Sequence, residues 1–284
     1  MNVMILGSNG MNGHMIAKFL QSKKINVRTV SRKNADIKFD LFDYSKLNDL
    51  IENMKEYDFI INCAGCLVSE SSNSLEKALY INSYVPRLIS AKLANAKTKI
   101  VHLSTDCVFN GKTSANYLPS DIPNETGNYG LSKMMGEINN TKDITFRLSK
   151  IGPETPNNTP GILDWFLREN SETVSGWTNH YWNGITTLEL ARLIYIHMKN
   201  PISNGIYALV DNDFICTKYE LICKFKRVFN QAIDIIPAEH PSTTRKVLNN
   251  PFQNPTLKVK DFEKQLEDLK DYLNKTNIKY GYNL

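Results

Sequence analysis

Tyr129 and Lys133 stand four residues apart in Tyr129-Gly130-Leu131-Ser132-Lys133, downstream of a Ser104-Thr105-Asp106 cluster that closes an apolar run. Positions i and i+4 lie one helical turn apart, so a helix carrying both presents them on one face. A free phenol titrates at about 10, and a fixed positive charge beside it favours phenolate, bringing its proton affinity toward what acid–base work at neutral pH needs. A hydroxyl from Thr105 or Ser104 would orient the carbonyl or alcohol that exchanges the proton. Standing alone, a Tyr and a Lys at this spacing are usually two ordinary residues of a surface helix. Here they stand beside a second chemical signal.

That signal is at the start of the chain, where the short apolar run Val3-Met4-Ile5-Leu6 leads directly into Gly7-Ser8-Asn9-Gly10-Met11-Asn12-Gly13. Met11, Met15, Ile16, Phe19 and Leu20 then fall along one face of a helix. A strand, a glycine-rich turn and a helix together form a seat for a dinucleotide pyrophosphate. Gly7 would make the tight turn, and Gly10, flanked by Asn9 and Met11, would let the backbone approach the ligand. Gly13 would let helix and strand pack closely.

The choice of dinucleotide is made after the next strand, over residues 25–30, where the chain reads Ser31-Arg32-Lys33. A carboxylate there holds the ribose of NAD, whereas a basic residue accommodates the extra phosphate of NADP. The basic turn favours NADPH, with Arg32 on the phosphate and Ser31 supplying a hydroxyl; NADH is left open. A solvated basic turn in a chain of net charge +5 is the plain alternative. Asp40 and Leu41, after Ile37-Lys38-Phe39, are expected beside the adenine.

Three further stretches carry a resemblance. Asn62-Cys63-Ala64-Gly65 follows a buried run; His102-Leu103-Ser104-Thr105-Asp106-Cys107-Val108-Phe109-Asn110-Gly111 precedes the Tyr/Lys pair; and the pair itself continues to Gly136-Glu137. With the glycine-rich turn, these are similar to the extended short-chain dehydrogenase/reductases, and more narrowly to the dTDP-4-dehydrorhamnose reductase family, over most of the chain. The resemblance implies NADPH-dependent reduction of the C4 ketone of a dTDP- or UDP-linked 4-keto-6-deoxy sugar, in polysaccharide-precursor synthesis. It implies Thr105 and Tyr129 as carbonyl-polarising and proton-donating groups, with Ser104 beside them. Lys133 is implied as the cation for ribose and phenol. Cys63, Ala64, Gly65 and Asn82 are implied on the cofactor side, and Asp106, Val108 and Phe109 on the substrate side.

The chain also departs from that family. Where dTDP-rhamnose synthases usually carry a Gly-x-Pro-Thr segment, it reads Trp177-Thr178-Asn179-His180-Tyr181-Trp182-Asn183-Gly184-Ile185-Thr186. The difference implies another sugar or base, as in the relatives that reduce other nucleotide-linked 4-keto-6-deoxy sugars, N-acetylated ones included. Trp177, Tyr181 and Trp182 offer stacking area and Asn183 a hydrogen-bonding group; a packed connection between domains explains them as well. Arg245 resembles the late Arg such enzymes place on the nucleotide diphosphate, against a solvated loop residue as the alternative. Two other functions stay open. One is a nucleotide-sugar epimerase or dehydratase, for which Asp106 stands in the place of the added acid. The other is a noncatalytic NADP-binding subunit like the beta subunit of methionine adenosyltransferase.

The elements that must position these residues alternate. Apolar runs over 57–62, 99–104 and 144–148 are separated by helical patterns over 44–54, 74–95 and 129–140. Such alternation means an α/β fold, a Rossmann-type doubly wound parallel sheet with the ligand crevice at the carboxyl ends of its strands. A loop over 152–160, rich in Pro and Asn, marks the passage from an NADP-binding domain (1–150) to a smaller, interleaved substrate-binding region (151–284). Segment 183–210, including a strand over 205–210, is expected back in the first domain. A helix over 188–198 lies within that returning segment, and helices over 161–168 and 218–229 and a strand over 233–237 follow in the second.

Bulk properties exclude more than they select. The 284 residues allow one large domain and a small one, and 34 basic against 29 acidic residues suit anionic substrates but are too dispersed for a nucleic-acid footprint. No apolar stretch approaches the roughly 18 residues of a membrane helix and no leader pattern opens the chain, so the cytoplasm is expected. Five cysteines at irregular spacing form no disulfide framework. The pair Cys63/Cys66 lacks a second pair for zinc, and His14, His102, His180, His197 and His240 lack metal spacing, so no metal is expected. A homodimer is left open.

Overall fold

The computed structural model describes residues 1–155, 160–251, 255–276 and 280, so residues 156–159 of the Pro- and Asn-rich loop lie outside the described residues. The first half of the chain folds as β1 (Asn2–Leu6), α1 (Met11–Ser22), β2 (Asn26–Ser31), β3 (Ile37–Lys38), α2 (Tyr44–Met54), β4 (Phe59–Asn62), α3 (Val68–Asn73), α4 (Leu75–Ala78), α5 (Val85–Lys92), β5 (Lys99–Leu103), α6 (Asn128–Met135) and β6 (Ile144–Arg147). After it come β7 (Lys150–Ile151), α7 (Ile162–Arg168), β8 (Thr173–Trp177), β9 (His180–Trp182), β10 (Ile185–Thr186) and α8 (Thr187–Lys199). The chain closes with β11 (Gly205–Ala208), β12 (Cys216–Thr217), α9 (Lys218–Val228), β13 (Asp234–Ala238), β14 (Thr244–Arg245) and α10 (Phe262–Lys275).

Seven of these strands form one sheet in the order β11-β6-β5-β4-β1-β2-β3, and every pairing in it is parallel. Parallel strands covered on both faces read as continuous apolar runs. In β1, Val3 and Ile5 pack with Ile16 and Leu20 of α1 and Leu190 and Ile194 of α8, while Met4 and Leu6 pack with Leu47 and Ile51 of α2 and Val85 and Ile89 of α5. Each such side chain contributes about 1.5–3 kcal/mol on burial. Strand order reverses between β1 and β4, which opens a crevice at their carboxyl ends.

The strand expected over 205–210 joins this sheet beside β6, as β11. A second core, built from α7, α9 and α10, gathers Phe166, Phe225, Leu266 and Leu269.

Two expected helices are shorter than their patterns. The segment over 74–95 is interrupted by a π-helical turn, Leu79–Tyr84, which carries Asn82 inward. The helix over 129–140 stops at Met135, capped by Gly136, where any Cβ would collide with the Asn82 carbonyl. The two deviations are one contact: the π turn and the end of α6 interlock, and such single π turns occur often at functional sites.

Candidate active site

The glycine-rich turn is built by close approaches. Gly7 has φ +71°, and a Cβ there would lie 2.7 Å from the Ala64 amide nitrogen, so the loop after β4 rests directly on the turn after β1. A Cβ on Gly13 would collide with the Gly7 carbonyl. Gly10 differs, because the nearest atom to its missing Cβ is 3.5 Å away; the space over it is left for a ligand. Gly10 is also the N-cap of α1 and no side chain caps that helix, so its first-turn amides are available to a phosphate. The Asn12 Oδ1 is buried there without a hydrogen-bond partner. These residues fit a dinucleotide pyrophosphate.

The other residues expected on the cofactor side follow from the neighbouring strand ends. Asn9 Nδ2 donates to the Lys33 carbonyl, tying the first turn to the basic one, and Met11 opens α1. Arg32 is exposed and makes no ion pair among the described residues, and Ser31 closes β2 with its carbonyl on the Phe39 amide at 2.9 Å. Asp40 accepts the Phe42 amide at 3.1 Å, and Leu41 is half-buried against the core. The Cys63 amide donates to the Leu6 carbonyl at 3.0 Å and the Ala64 amide to Asn62 Oδ1 at 3.2 Å, which sets the backbone through Gly65 along the crevice floor.

The residues expected to carry the chemistry lie one strand over. Thr105 caps a short 3-10 turn, Asp106–Val108: its hydroxyl accepts the Cys107 amide at 3.2 Å and donates to Asp106 Oδ1 at 3.0 Å. Tyr129 and Lys133 lie one turn apart on α6, and Lys133 Nζ donates to the Leu103 carbonyl at 2.7 Å. Helix α6 can press onto the 105–108 turn because residue 130 is Gly; a Cβ would collide with the Cys107 carbonyl. Burial raises the Tyr129 phenol above its ordinary value, with Cys107 and Asp106 adding to the rise; Lys150 and a hydrogen bond with the Thr105 hydroxyl oppose it. Burial, and then Lys150, lower Lys133 to about 8 against the pull of Glu137 and Cys63. Thr105, Tyr129 and Lys133 are thus brought together at the carboxyl end of β5.

Several expected site residues take other places, each for a packing reason. Ser104 donates its hydroxyl to Glu137 Oε1 at 2.7 Å and is buried behind Thr105. Val108 and Phe109 are corrected from substrate contacts to core: both are fully buried, and Phe109 stacks on Tyr117 at 4.1 Å. Trp182 is corrected likewise, since it is buried, donates from Nε1 to Ser149 Oγ at 2.7 Å and packs edge-on against Phe262. Asn183 is also buried, clamping the Leu248 backbone with bonds of 2.7 and 2.9 Å. Asn82 holds Cys66 through both its amide and carbonyl and donates to Ser132 Oγ at 3.0 Å, so it positions the 63–66 loop and α6. Arg245 donates to Asn116 at 2.7 Å and lies 5.3 Å over the Tyr181 ring, its Nε unpartnered. Asp106 remains at the crevice, beside Thr105.

A family model, the RmlD substrate binding domain, matches residues 1–274. The chain belongs to this family. Among its relatives, the probable low-salt glycan biosynthesis reductase Agl14 of Haloferax volcanii is 29% identical over 144 residues, 48% of each chain. The chain therefore spans about half the length of that relative. Methionine adenosyltransferase 2 subunit beta of Bos taurus is 23% identical over 257 residues, 84% of this chain and 73% of that one. A crystal structure of dTDP-4-dehydrorhamnose reductase from Bacillus anthracis, in complex with NADP, superposes with TM-score 0.81 at 19% identity, covering 97% of this chain and 99% of that chain. That likeness shows the shared fold.

Four residues of this RmlD-family chain that lie at the candidate site have no role assigned in the sequence reading. Glu137 and Arg147 form a buried ion pair that fixes α6 to β6; the signal is Arg147 itself, a charge in an otherwise apolar run, which burial requires to be paired. Lys150 and Lys218 carry no spacing signal at all. Lys150 acts on Tyr129 and Lys133, and Lys218, 5.5 Å over the Trp182 ring, acts on Asp106 and Cys107. Among the described residues no group of three or more His, Cys, Asp or Glu could hold a metal ion, and no helix is long and apolar enough to cross a membrane.

Proposed function

We propose that this chain reduces the C4 ketone of a nucleotide-linked 4-keto-6-deoxy sugar, dTDP- or UDP-linked, with NADPH, to supply a polysaccharide precursor. The observation that carries the reading is the convergence of Thr105, Tyr129 and Lys133 beside a glycine-rich turn with room for a pyrophosphate over Gly10. The first-turn amides of α1 would hold that pyrophosphate, Arg32 and Ser31 the ribose phosphate, and Lys133 the second ribose. Bound there, NADPH supplies the hydride.

The protein's own groups do the rest. The Thr105 hydroxyl turns from Asp106 to hold the ketone oxygen, and Tyr129 gives its proton to that oxygen as negative charge develops on it. Both sit where burial strengthens every charge interaction. The reductase names of the relatives support this reading, as does the NADP held by the Bacillus anthracis protein. A second reading, a noncatalytic NADP-binding subunit, is favoured by the bovine relative, whose match runs over 84% of the chain. Tyr129 and Lys133 weigh toward chemistry.

The deciding experiment offers the protein NADPH and a panel of dTDP- and UDP-linked 4-keto sugars and follows the nicotinamide absorbance. Oxidation with one of them, lost in Tyr129→Phe, is expected. NADPH binding without oxidation by any sugar would give the regulatory reading.

A further inference from the structure

The backbone beyond β6 is clamped from two sides. The Leu148 carbonyl accepts the Asp106 amide at 3.3 Å, the Ser149 carbonyl accepts the Ile185 amide at 3.0 Å, and Lys150 and Ile151 pair with Ile185 and Thr186 of β10. Lys150 is therefore held beside the 105–107 segment at the carboxyl end of the sheet. It is half-buried, and its ammonium makes no hydrogen bond or ion pair with any described residue. Its ammonium acts on four groups that ring the crevice: Cys63 after β4, Cys107 after β5, and Tyr129 and Lys133 on α6.

Among the charges acting on the phenol, Lys150 is the strongest. Lys133, by contrast, directs its ammonium to the Leu103 carbonyl. The other groups facing the phenol are the Cys107 thiol, Asp106 and the Thr105 hydroxyl, and Asp106 is faced in turn by Lys218 and Lys246.

We propose that Lys150 is a second cation serving Tyr129, a positioning residue that stabilises the negative charge left on the phenolate oxygen when the phenol proton leaves. The inference rests on the proposed reduction. In that step the Tyr129 O–H bond breaks, the proton bonds to the substrate alkoxide oxygen, and the electron pair stays on the phenolate oxygen until solvent returns a proton. Lys133, anchored on β5, then serves ribose and phenol from α6, and a residue from a different strand supplies the second charge.

The test compares Lys150→Met and Lys150→Arg in the whole chain by tyrosine-selective NMR titration, with Tyr129→Phe identifying the Tyr129 signal. A nearby cation favours phenolate, so its removal should raise the Tyr129 midpoint by about one pH unit, and Arg should restore it. With an accepted sugar, kcat in Lys150→Met should fall about tenfold and the alkaline limb of kcat/KM should move up, because Lys150 also opposes charge on Lys133. A folded Lys150→Met protein with an unmoved Tyr129 midpoint, or with only KM raised, would overturn the proposal and make Lys150 a substrate anchor or a packing residue. The titration needs no sugar, so a lack of turnover would count against the reduction while leaving this question decided.

Discussion

Glu137 holds Arg147 through two hydrogen bonds of 2.8 Å, one from Nε to Oε1 and one from NH2 to Oε2, and both side chains are buried. The same Oε1 accepts the Ser104 hydroxyl, so a single carboxylate joins the end of α6 to β5 and β6 and sets Lys133 relative to Thr105. Removing one partner of such a pair strands the other charge. Glu137→Ala should lose about 3–5 kcal/mol of stability in denaturant unfolding, and Glu137→Ala with Arg147→Met should lose clearly less than the sum of the two single changes. Additive losses would show that the two charges do not depend on each other.

The glycines separate folding from binding. A methyl at Gly13 collides with backbone, whereas a methyl at Gly10 meets nothing closer than 3.5 Å. Gly13→Ala should therefore lower the melting temperature markedly. Gly10→Ala should melt near the parent temperature yet bind NADPH at least tenfold more weakly, since the methyl occupies the ligand's space. Normal NADPH affinity in Gly10→Ala would place the pyrophosphate elsewhere.

Residue types made the sheet and the meeting of Thr105, Tyr129 and Lys133 readable in advance. Unbroken apolar runs such as Phe59–Asn62 admit little besides a doubly covered strand, and the Tyr129/Lys133 spacing fixes a shared helix face wherever α6 docks. What escapes is direction. Tyr181 and Trp182 are adjacent aromatics in β9, and alternation along a strand sends one out and one in, but the sequence does not say which. The π turn around Asn82 is equally hidden: no Gly or Pro breaks the run before Pro86, and tertiary hydrogen bonds to Cys66 and Ser132 occupy the Asn82 side chain where the turn is made. The helix α10, with Phe262, Leu266, Leu269 and Leu273 on one face, is left unassigned in the sequence reading although its period is plain.

Tyr129→Phe removes the transferable proton and little volume, so turnover should fall about 10²–10⁴-fold with NADPH affinity preserved. The pH dependence follows from Lys133, which burial lowers to about 8. Below that value the ammonium is present, and above it the lysine is neutral, so NADPH affinity and kcat/KM of the free enzyme should decline as pH rises through about 8. The unfolded chain holds this proton more tightly, up to the ordinary lysine value, so the Lys133 contribution to stability runs the other way: destabilising below about 8 and relieved as pH rises. An NADPH affinity that is flat across this window would show that Lys133 does not serve the cofactor.

Cofactor choice rests on Arg32, exposed and without an ion pair among the described residues. A charge-assisted hydrogen bond is worth about 1.5–3 kcal/mol, so Arg32→Ala should weaken NADPH by roughly tenfold or more and leave NADH unchanged. Equal losses for both would remove Arg32 from the phosphate.

Trp182 and Tyr181 should answer differently to the same substitution. Trp182 is locked by Ser149 and by Phe262, whose ring lies 5.2 Å away, so Trp182→Ala should cost about 3–5 kcal/mol of stability and leave KM near its parent value wherever the protein is folded. Tyr181 is on the opposite face, 37% exposed under the Arg245 guanidinium, and neither residue belongs to a core cluster. If this pair recognises the nucleotide, Tyr181→Ala or Arg245→Ala should raise KM by about five- to a hundredfold, the worth of one stacked base, with kcat little changed. Titration with free UDP and dTDP should show the same loss. Unchanged nucleotide affinity in both variants, with the melting temperature preserved, would move base recognition away from β9 and β14 and leave the ring and guanidinium as a local brace.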